Sequence, residues 1–140
     1  MTNEPITPRS PKEELDGFPY FLRLCDKIRL FQAGILHPDY HNNLGKGFDL
    51  WMCQFLGVEY DDLRKKVESG ASDEQTLAWA QQTGVEREPF VRDWFLQYLR
   101  TRGFRDDFSE LLEKRKKEAE HTDKPEIQTF MDYLDADEGH

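Results

Sequence analysis

Hydrophobic residues recur at helical spacing along most of the chain. Between Phe18 and Leu36 they return every three or four positions, which places them on one face of a helix. Residues 48–56 are apolar at nearly every position and Gly57 follows them, a pattern typical of a buried helix with a glycine stop. We predict that these two helices form the core and that the rest of the chain wraps around them.

Five further helices are predicted from the same periodicity and from signals at helix ends. We expect them at residues 60–69, 72–83, 87–102 and 108–120, and from Pro125 onward. Ser72 with Gln75 has the spacing of a capping box, and Asp107 with Glu110 has the same spacing before the fourth of these helices. No segment shows a convincing strand pattern. The sequence therefore predicts an all-α fold of about seven helices.

The helix predicted at 87–102 is rich in aromatic residues. Its spacing assigns six residues to the core: Phe90, Val91, Trp94, Phe95, Tyr98 and Leu99. Together with the helix before it, this segment has the outline of a helix-turn-helix, and arginines occur along it. Acidic residues interrupt those arginines, so we interpret the pair as ordinary helix packing and expect no nucleic-acid partner.

The length of 140 residues suits one domain, and aromatic residues make up 13% of the chain. No apolar run approaches the ~20 residues that cross a bilayer, and the first eleven residues do not resemble a secretion signal. We therefore expect a cytoplasmic protein without a membrane partner. It would comprise an extended polar segment at residues 1–11 and a single helical domain at 12–140. Cys25 and Cys53 lie among apolar residues and are expected to be reduced core side chains.

Negative charge is concentrated at the end of the sequence. Residues 106–140 hold twelve acidic and five basic residues, whereas the net charge of the whole chain is -9. A negative protein neutralises phosphates poorly, which argues against general binding of nucleic acid or anionic membranes. Acidic ends of this kind commonly keep a domain soluble.

Two charged residues on predicted apolar helix faces are the main functional signal. Arg29 and Asp49 both project among apolar neighbours when residues are placed at about 100° intervals. Because an unpaired buried charge costs several kcal/mol, we expect these two residues to face each other, with Asp26 and Lys27 at the edge. The cluster is either a structural salt bridge or part of a cleft for an anionic or polar ligand, which a bidentate arginine suits.

The longest internal stretch without periodicity covers residues 40–47, and loop-borne chemistry is expected there. Tyr40 is our expected loop contact for a ligand. His37, Asp39 and His41 alternate, so an extended chain would direct them to one side and, with Asp49, could offer ligands to zinc or another divalent metal. Short polar loops collect these residue types for conformational reasons as well. We therefore assign no metal and no cofactor.

Two function classes fit these residues. The first is a binding or interaction module for a small polar or anionic ligand or a protein partner, with Arg29 as anion anchor, Asp49 as its orienting partner, Lys27 as second cation and Tyr40 as loop contact. The alternative is a small enzyme with Asp49 or Asp26 as general base and a cation that stabilises developing negative charge, with or without a metal. The numerous aromatic residues also leave a homo-oligomer open.

Short motifs in a fixed order span almost the whole chain. They are Arg9-Ser10-Pro11, Asp26-Lys27-Ile28-Arg29, Ala33-Gly34, Tyr40, Gly47-Phe48-Asp49, Gly70 with Asp73 and Trp79, Arg102-Gly103, and the closing stretch from Phe130 to Gly139. In order and spacing the series resembles an uncharacterised bacterial family, the domain of unknown function numbered five thousand and sixty-nine. The resemblance implies a bacterial, cytosolic, single-domain protein with no established activity, cofactor or partner.

The resemblance also implies that the acidic ending belongs to the domain. Its acidic side chains would then dock against basic residues of the body, and we name these as candidates: Asp132, Asp135, Asp137 and Glu138 on the ending, and Arg23, Lys27 and Arg29 on the body. Such contacts would give the C-terminal residues a structural role.

Overall fold

The computed structural model describes residues 5–140, which fold into one mostly helical domain. Its α-helices are α1 (Phe21–Gln32), α2 (Phe48–Leu56), α3 (Tyr60–Glu68), α4 (Asp73–Thr83), α5 (Pro89–Thr101), α6 (Ser109–Glu118) and α7 (Phe130–Glu138). A 3-10 helix, Pro38–Asn43, lies between α1 and α2, and the strands β1 (Glu14–Leu15) and β2 (Phe18–Pro19) form a short antiparallel hairpin before α1. The predicted helical fold class is confirmed.

The core is built around α1 and α2, which contribute more buried residues to it than any other helix. Their core residues are Phe21, Leu24, Cys25, Ile28, Met52, Cys53 and Leu56. Helices α3, α4, α5 and α7 each add one or two apolar side chains to the same cluster. Burial of a large aliphatic or aromatic side chain stabilises the fold by roughly 1.5–3 kcal/mol, so this cluster is the main source of stability.

The first helix begins later than its hydrophobic pattern predicts. Phe18 and Pro19 belong to β2, where they pair with β1. Tyr20 then has a φ of 73°, in the left-handed region, which is incompatible with a helix interior. The expectation that the chain contains no strand is therefore wrong for this hairpin, whose two-residue strands are too short to produce an alternating pattern.

Helix starts in the second half of the chain were predicted with mixed success. Ser72 and Gln75 form the predicted capping box at α4. The predicted cap at Asp107 is wrong, because its carboxylate binds the guanidinium of Arg102 at 2.6 Å while α6 begins at Ser109. The last helix begins at Phe130 rather than Pro125, since Thr129 caps it through a box of its own.

Half of the residues assigned to the core of α5 face outward. Phe90, Trp94 and Tyr98 are 52%, 69% and 43% exposed. They follow one another at intervals of four and so form one stripe, while the neighbouring stripe contacts the core. There Phe95 stacks on Phe55 with ring centroids 4.3 Å apart. The periodicity identified the helix correctly but selected a face wider than the core covers.

The N-terminal segment lies against the body from its first described residues. Ile6 forms an isolated parallel bridge with Leu36, and Pro8 and Pro11 are buried. Residues 1–4 of the predicted extended segment lie outside the described residues. Within residues 5–140, no helix combines the length and the apolar character that a membrane crossing requires.

Candidate functional site

Asp49 binds Lys27, and the predicted pair with Arg29 is wrong. The Asp49 side chain is fully buried, and its carboxylate accepts hydrogen bonds from the Tyr20 hydroxyl at 2.6 Å, the Lys27 ammonium at 2.9 Å and the Gly45 amide at 3.0 Å. Positions 27 and 29 lie about 200° apart around α1, so this helix cannot present both to α2. Burial, followed by the charge of Asp49, raises the pKa of Tyr20 well above its usual value, which keeps the hydroxyl proton available for donation.

Arg29 and Asp26 contribute to other structural contacts. The Arg29 guanidinium binds the Asp73 carboxylate at 2.6 Å and the Ala71 carbonyl at 3.2 Å, which ties α1 to the start of α4. Its side chain is 35% exposed. Asp26 accepts a hydrogen bond from the Arg9 amide at 2.9 Å and so holds the N-terminal segment. Neither of these two predicted site residues contacts the Lys27–Asp49 pair through a hydrogen bond.

A cavity of about 330 Å³ opens over the Lys27–Asp49 pair, between α1, the 3-10 helix, the start of α2, α6 and α7. We call it the basic pocket. Its lining residues are Tyr20, Arg23, Lys27, Tyr40, Asn43, Lys46, Gly47, Phe48, Trp51, Phe108, Leu111, Arg115, Phe130 and Leu134. The volume is in the range of small-molecule sites in proteins.

Four cationic side chains and no carboxylate line the basic pocket. Lys27 is balanced by Asp49 underneath it, and Arg23 is balanced by Glu138. Arg115 forms an ion pair with Glu118 in which both side chains are about half exposed, so Glu118 offsets the positive charge of Arg115 only slightly. In the part of the chain from residue 5 to residue 140, the Lys46 ammonium has neither an ion pair nor a hydrogen bond. The pocket therefore holds a surplus of positive charge.

Aromatic rings form the opposite wall of the basic pocket. Phe48 lies 5.2 Å from Trp51, Trp51 lies 5.7 Å from Phe108, and Phe108 lies 6.1 Å from Phe130, all measured between ring centroids. Behind this wall the Arg102 guanidinium is buried 3.6 Å from the centroid of Phe108. Rings that pack on one another and on a cation in this way hold fixed positions, so the apolar side of the pocket is already formed.

Glu138, at the end of α7, binds two residues of the pocket lining, Arg23 and Tyr40. Its carboxylate accepts two hydrogen bonds from the Arg23 guanidinium, at 2.6 and 2.7 Å, and a third from the Tyr40 hydroxyl at 2.5 Å. Both charged side chains of this pair are at most 2% exposed. The predicted docking of the acidic ending on Arg23 is confirmed by these contacts. The Nη1 atom of Arg23 also donates to the Arg9 carbonyl at 3.1 Å, whereas its buried Nε atom has no acceptor among the described residues.

Sequence reasoning found part of this arrangement. Lys27 and Tyr40 line the basic pocket and Asp49 lies beneath it. Lys46 was missed as a site residue, although the flanking glycines and the apolar helix after them were a usable signal. Arg115 was missed because its neighbours in sequence are lysines that looked like a solvated helix end.

The alternating polar residues of the loop are turned apart by the 3-10 helix. The Nδ1 atom of His37 accepts a hydrogen bond from the Asp39 amide, and the Nε2 atom of His41 lies 2.9 Å from the Leu36 carbonyl. Residues two apart share a side in an extended chain but not in a helix with three residues per turn. Across residues 5–140, no group of three or more His, Cys, Asp or Glu side chains is arranged to hold a metal ion.

Comparison with known families identifies relatives over nearly the full chain. The model of the family described as Domain of unknown function (DUF5069) matches residues 6–140. The matched range contains every residue of the basic pocket. No curated protein matches the sequence.

Proposed function

The chain belongs to the family of the DUF5069 domain, and we propose that it is a binding module for a small organic anion that enters the basic pocket. One observation carries the proposal: four cations, no carboxylate and a wall of aromatic rings line a single cavity of about 330 Å³. We further propose that this takes place in a bacterial cytoplasm, as expected from the resemblance and the sequence.

The charge distribution supports an anion as the ligand. Lys46 contributes an uncompensated positive charge, and Arg115 adds another that its exposed partner Glu118 screens only in part. Both of these side chains are exposed, so they act chiefly by attracting an anion toward the pocket. The buried partners of Arg23 and Lys27 fix those two cations in place, so an incoming anion meets donors that need little reorganisation.

The aromatic wall supports a ligand with an apolar part. Phe48, Trp51, Phe108 and Phe130 offer ring faces and edges to the cavity, and Leu111 and Leu134 extend this surface. Pockets for small molecules typically combine a mostly apolar lining with a few polar groups that set orientation. A ligand with a ring or short chain and one anionic group at its end would satisfy both sides.

Binding without catalysis is better supported than the enzyme alternative. A general base must reach the proton that it removes. Asp49 is fully buried and its oxygens already accept three hydrogen bonds. Asp26 is bound to the Arg9 amide and does not line the pocket. Both carboxylates therefore have structural partners.

A protein partner or a second copy of the chain is a separate proposal, supported by α5. The outward row of Phe90, Trp94 and Tyr98 places three exposed aromatic side chains next to one another, and contiguous apolar patches can mark interaction sites. Sedimentation velocity of the wild type and of Trp94→Lys tests self-association. A concentration-dependent dimer that the substitution abolishes would support it, and a monomer at all concentrations would contradict it.

Tryptophan fluorescence tests the binding proposal, because Trp51 lines the basic pocket while the other two tryptophans do not. A variant with Trp79→Phe and Trp94→Phe leaves Trp51 as the reporter. We expect 4-iodobenzoate to quench it in a saturable manner and neutral 4-iodobenzyl alcohol to quench it far less. Adding Lys46→Met should weaken 4-iodobenzoate binding by about tenfold.

Lys114→Met is the matched control, because Lys114 is an exposed lysine that does not line the pocket. It removes the same charge from the protein and should leave binding unchanged. Quenching that never saturates, that is equal for the acid and the alcohol, or that falls equally in both lysine variants would contradict the proposed function.

A further inference from the structure

We infer that the chain has a second ligand site, a cavity beside α4 and the start of α5 that binds an acidic α-amino acid through Arg87, Arg92 and Glu86. The cavity has a volume of about 490 Å³ and shares no lining residue with the basic pocket. We call it the α4–α5 cavity. The inference therefore goes beyond the proposed function and does not depend on it.

Two arginines line the α4–α5 cavity, and neither has a carboxylate partner in the part of the chain that the structure describes. Arg87 donates from Nε to the Phe55 carbonyl at 2.9 Å and from Nη2 to the Gln54 carbonyl at 3.3 Å. Arg92 donates from Nη2 to the Asp16 carbonyl. Carbonyl groups carry no net charge, so they position the guanidiniums without neutralising them. Each guanidinium has more N–H donors than these bonds use, and both keep donors for a ligand.

Aromatic rings of the core hold the same two guanidiniums in place. The Cζ atom of Arg92 lies 4.4 Å from the ring centroid of Phe18, and that of Arg87 lies 5.6 Å from the ring centroid of Phe55. The centroids of the two rings are 6.3 Å apart. The cations thus lie over neighbouring rings, and cation–π contacts restrict their movement. A ligand would meet donors that need little reorganisation.

The lining of the α4–α5 cavity also contains one carboxylate and two carboxamides. Glu86 has no ion pair among the described residues, although it is next to Arg87 in the chain. Gln81 and Gln82, near the end of α4, have no side-chain hydrogen bond in the same range. All three side chains are exposed. Groups of both charge signs and neutral polar groups are therefore available to a ligand in this cavity.

An acidic α-amino acid matches this set of charges. The cavity presents two cations and one anion, whereas the free amino acid carries two carboxylates and one ammonium near neutral pH. Guanidiniums bind planar carboxylates through paired N–H donors, and the ammonium would donate to Glu86. A simple dicarboxylate would leave Glu86 without a partner, and a neutral amino acid would leave one arginine without a carboxylate. Both are poorer matches.

An NMR titration of isotope-labelled protein tests the inference, because it measures weak affinities and locates the site. The probes are L-glutamate and L-aspartate, glutarate, which lacks the ammonium, and L-glutamine, which lacks one carboxylate. We expect the acidic amino acids to shift the amide resonances of residues 81–92 in a saturable manner. The tighter of the two should bind about fivefold more tightly than either analogue, since each analogue loses one charged contact.

Two variants separate the ammonium contact from the carboxylate contacts. Glu86→Gln should weaken the acidic amino acids about fivefold but not glutarate, and so remove the preference between them. Its matched control is Glu88→Gln, because Glu88 is an exposed acidic neighbour that does not line the cavity. Arg92→Met should weaken the acidic amino acids and glutarate alike. Arg105→Met is its control, since Arg105 is an exposed arginine outside the cavity.

Glutarate that binds as tightly as the acidic amino acids, or a preference that survives Glu86→Gln, would overturn the inference. Shifts confined to the basic pocket around Lys46 would overturn the second site and leave the proposed function intact. The same holds if neither amino acid gives saturable shifts at residues 81–92, because the fluorescence titration with 4-iodobenzoate tests the basic pocket separately. If Arg92→Met does not fold, the probe comparison on the wild type and on Glu86→Gln decides.

Discussion

At the scale of single residues, Asp49 is a fully buried carboxylate within a helical core. It is tolerated because Tyr20, Lys27 and the Gly45 amide together satisfy its oxygens. The sequence identified Asp49 as buried, since its neighbours on the helix are apolar. It could not identify Lys27 as the partner, because the pattern of one helix does not determine how that helix is rotated against another.

Removal of Lys27 should therefore be costly. We expect Lys27→Met to lower the free energy of unfolding by about 3–5 kcal/mol, because it leaves the Asp49 charge buried without a counter-ion. The double variant Lys27→Met/Asp49→Asn should recover a large part of that loss. Urea denaturation of the two variants measures the difference. A loss below about 1 kcal/mol for Lys27→Met would show that Asp49 is neutral or solvated.

The two cysteines should be unreactive while the protein is folded. Both are free, and Cys25 and Cys53 are at most 1% exposed. Burial raises the pKa of each thiol to about 12, so almost no thiolate exists near neutral pH. In an assay with an aromatic disulfide reagent, we expect labelling only at the rate of unfolding. Rapid labelling of one thiol in native buffer would contradict the buried position that the structure gives it.

At the scale of elements, α7 links the acidic end of the chain to the wall of the basic pocket. Its first turn is capped by Thr129 and held by Lys12, and its last residue, Glu138, binds Arg23 and Tyr40. The hydrophobic pattern located this helix only approximately. Its start depends on a capping box formed with an aspartate, which resembles ordinary loop sequence, and its end depends on a partner 115 residues away in the chain.

Glu138→Gln should loosen α7 at its C-terminal end. The substitution removes the carboxylate charge of Glu138 and leaves the buried Arg23 guanidinium without its counter-ion. We therefore expect the free energy of unfolding to fall by about 3–5 kcal/mol. Hydrogen exchange of the α7 amides should also accelerate. Asp137→Asn is the control, since its carboxylate is 45% exposed. Equal and small effects of the two substitutions would show that the buried pair does not hold the helix.

The start of α7 should have a characteristic dependence on pH. Burial by itself would raise the pKa of Asp132, but hydrogen bonds from Lys12 and the Gln128 amide outweigh it and lower the pKa below the usual 3.8. The stability that Asp132 contributes is therefore complete well above pH 3.8 and is lost as the pH falls through its folded-state pKa. We expect Asp132→Asn to cost about 1 kcal/mol near neutral pH.

Urea denaturation of wild type and Asp132→Asn across an acidic pH series measures that dependence. The gap in unfolding free energy between the two proteins should shrink as the pH falls below 3.8. A gap that stays constant or widens at acidic pH would mean that the ionised carboxylate does not stabilise α7.

At the scale of the whole molecule, an acidic protein encloses a basic pocket. The net charge of -9 belongs largely to the end of the chain, and part of that end folds back onto Arg23 and Lys12. Helix number, the core helices and the docked acidic ending could be predicted, because they depend on local periodicity and charge. The pocket could not, since its residues come from α1, α2, α6, α7 and the 3-10 helix and meet only after folding.

A crystal structure of the protein with 4-bromobenzoate tests the central claim most directly, because the anomalous signal of bromine locates the ligand independently. We predict one bromine peak beside Trp51 and Phe108, with the carboxylate within hydrogen-bond distance of the Lys46 ammonium. A peak on the exposed row of α5, or an ordered crystal with an unoccupied basic pocket at saturating ligand, would contradict the account.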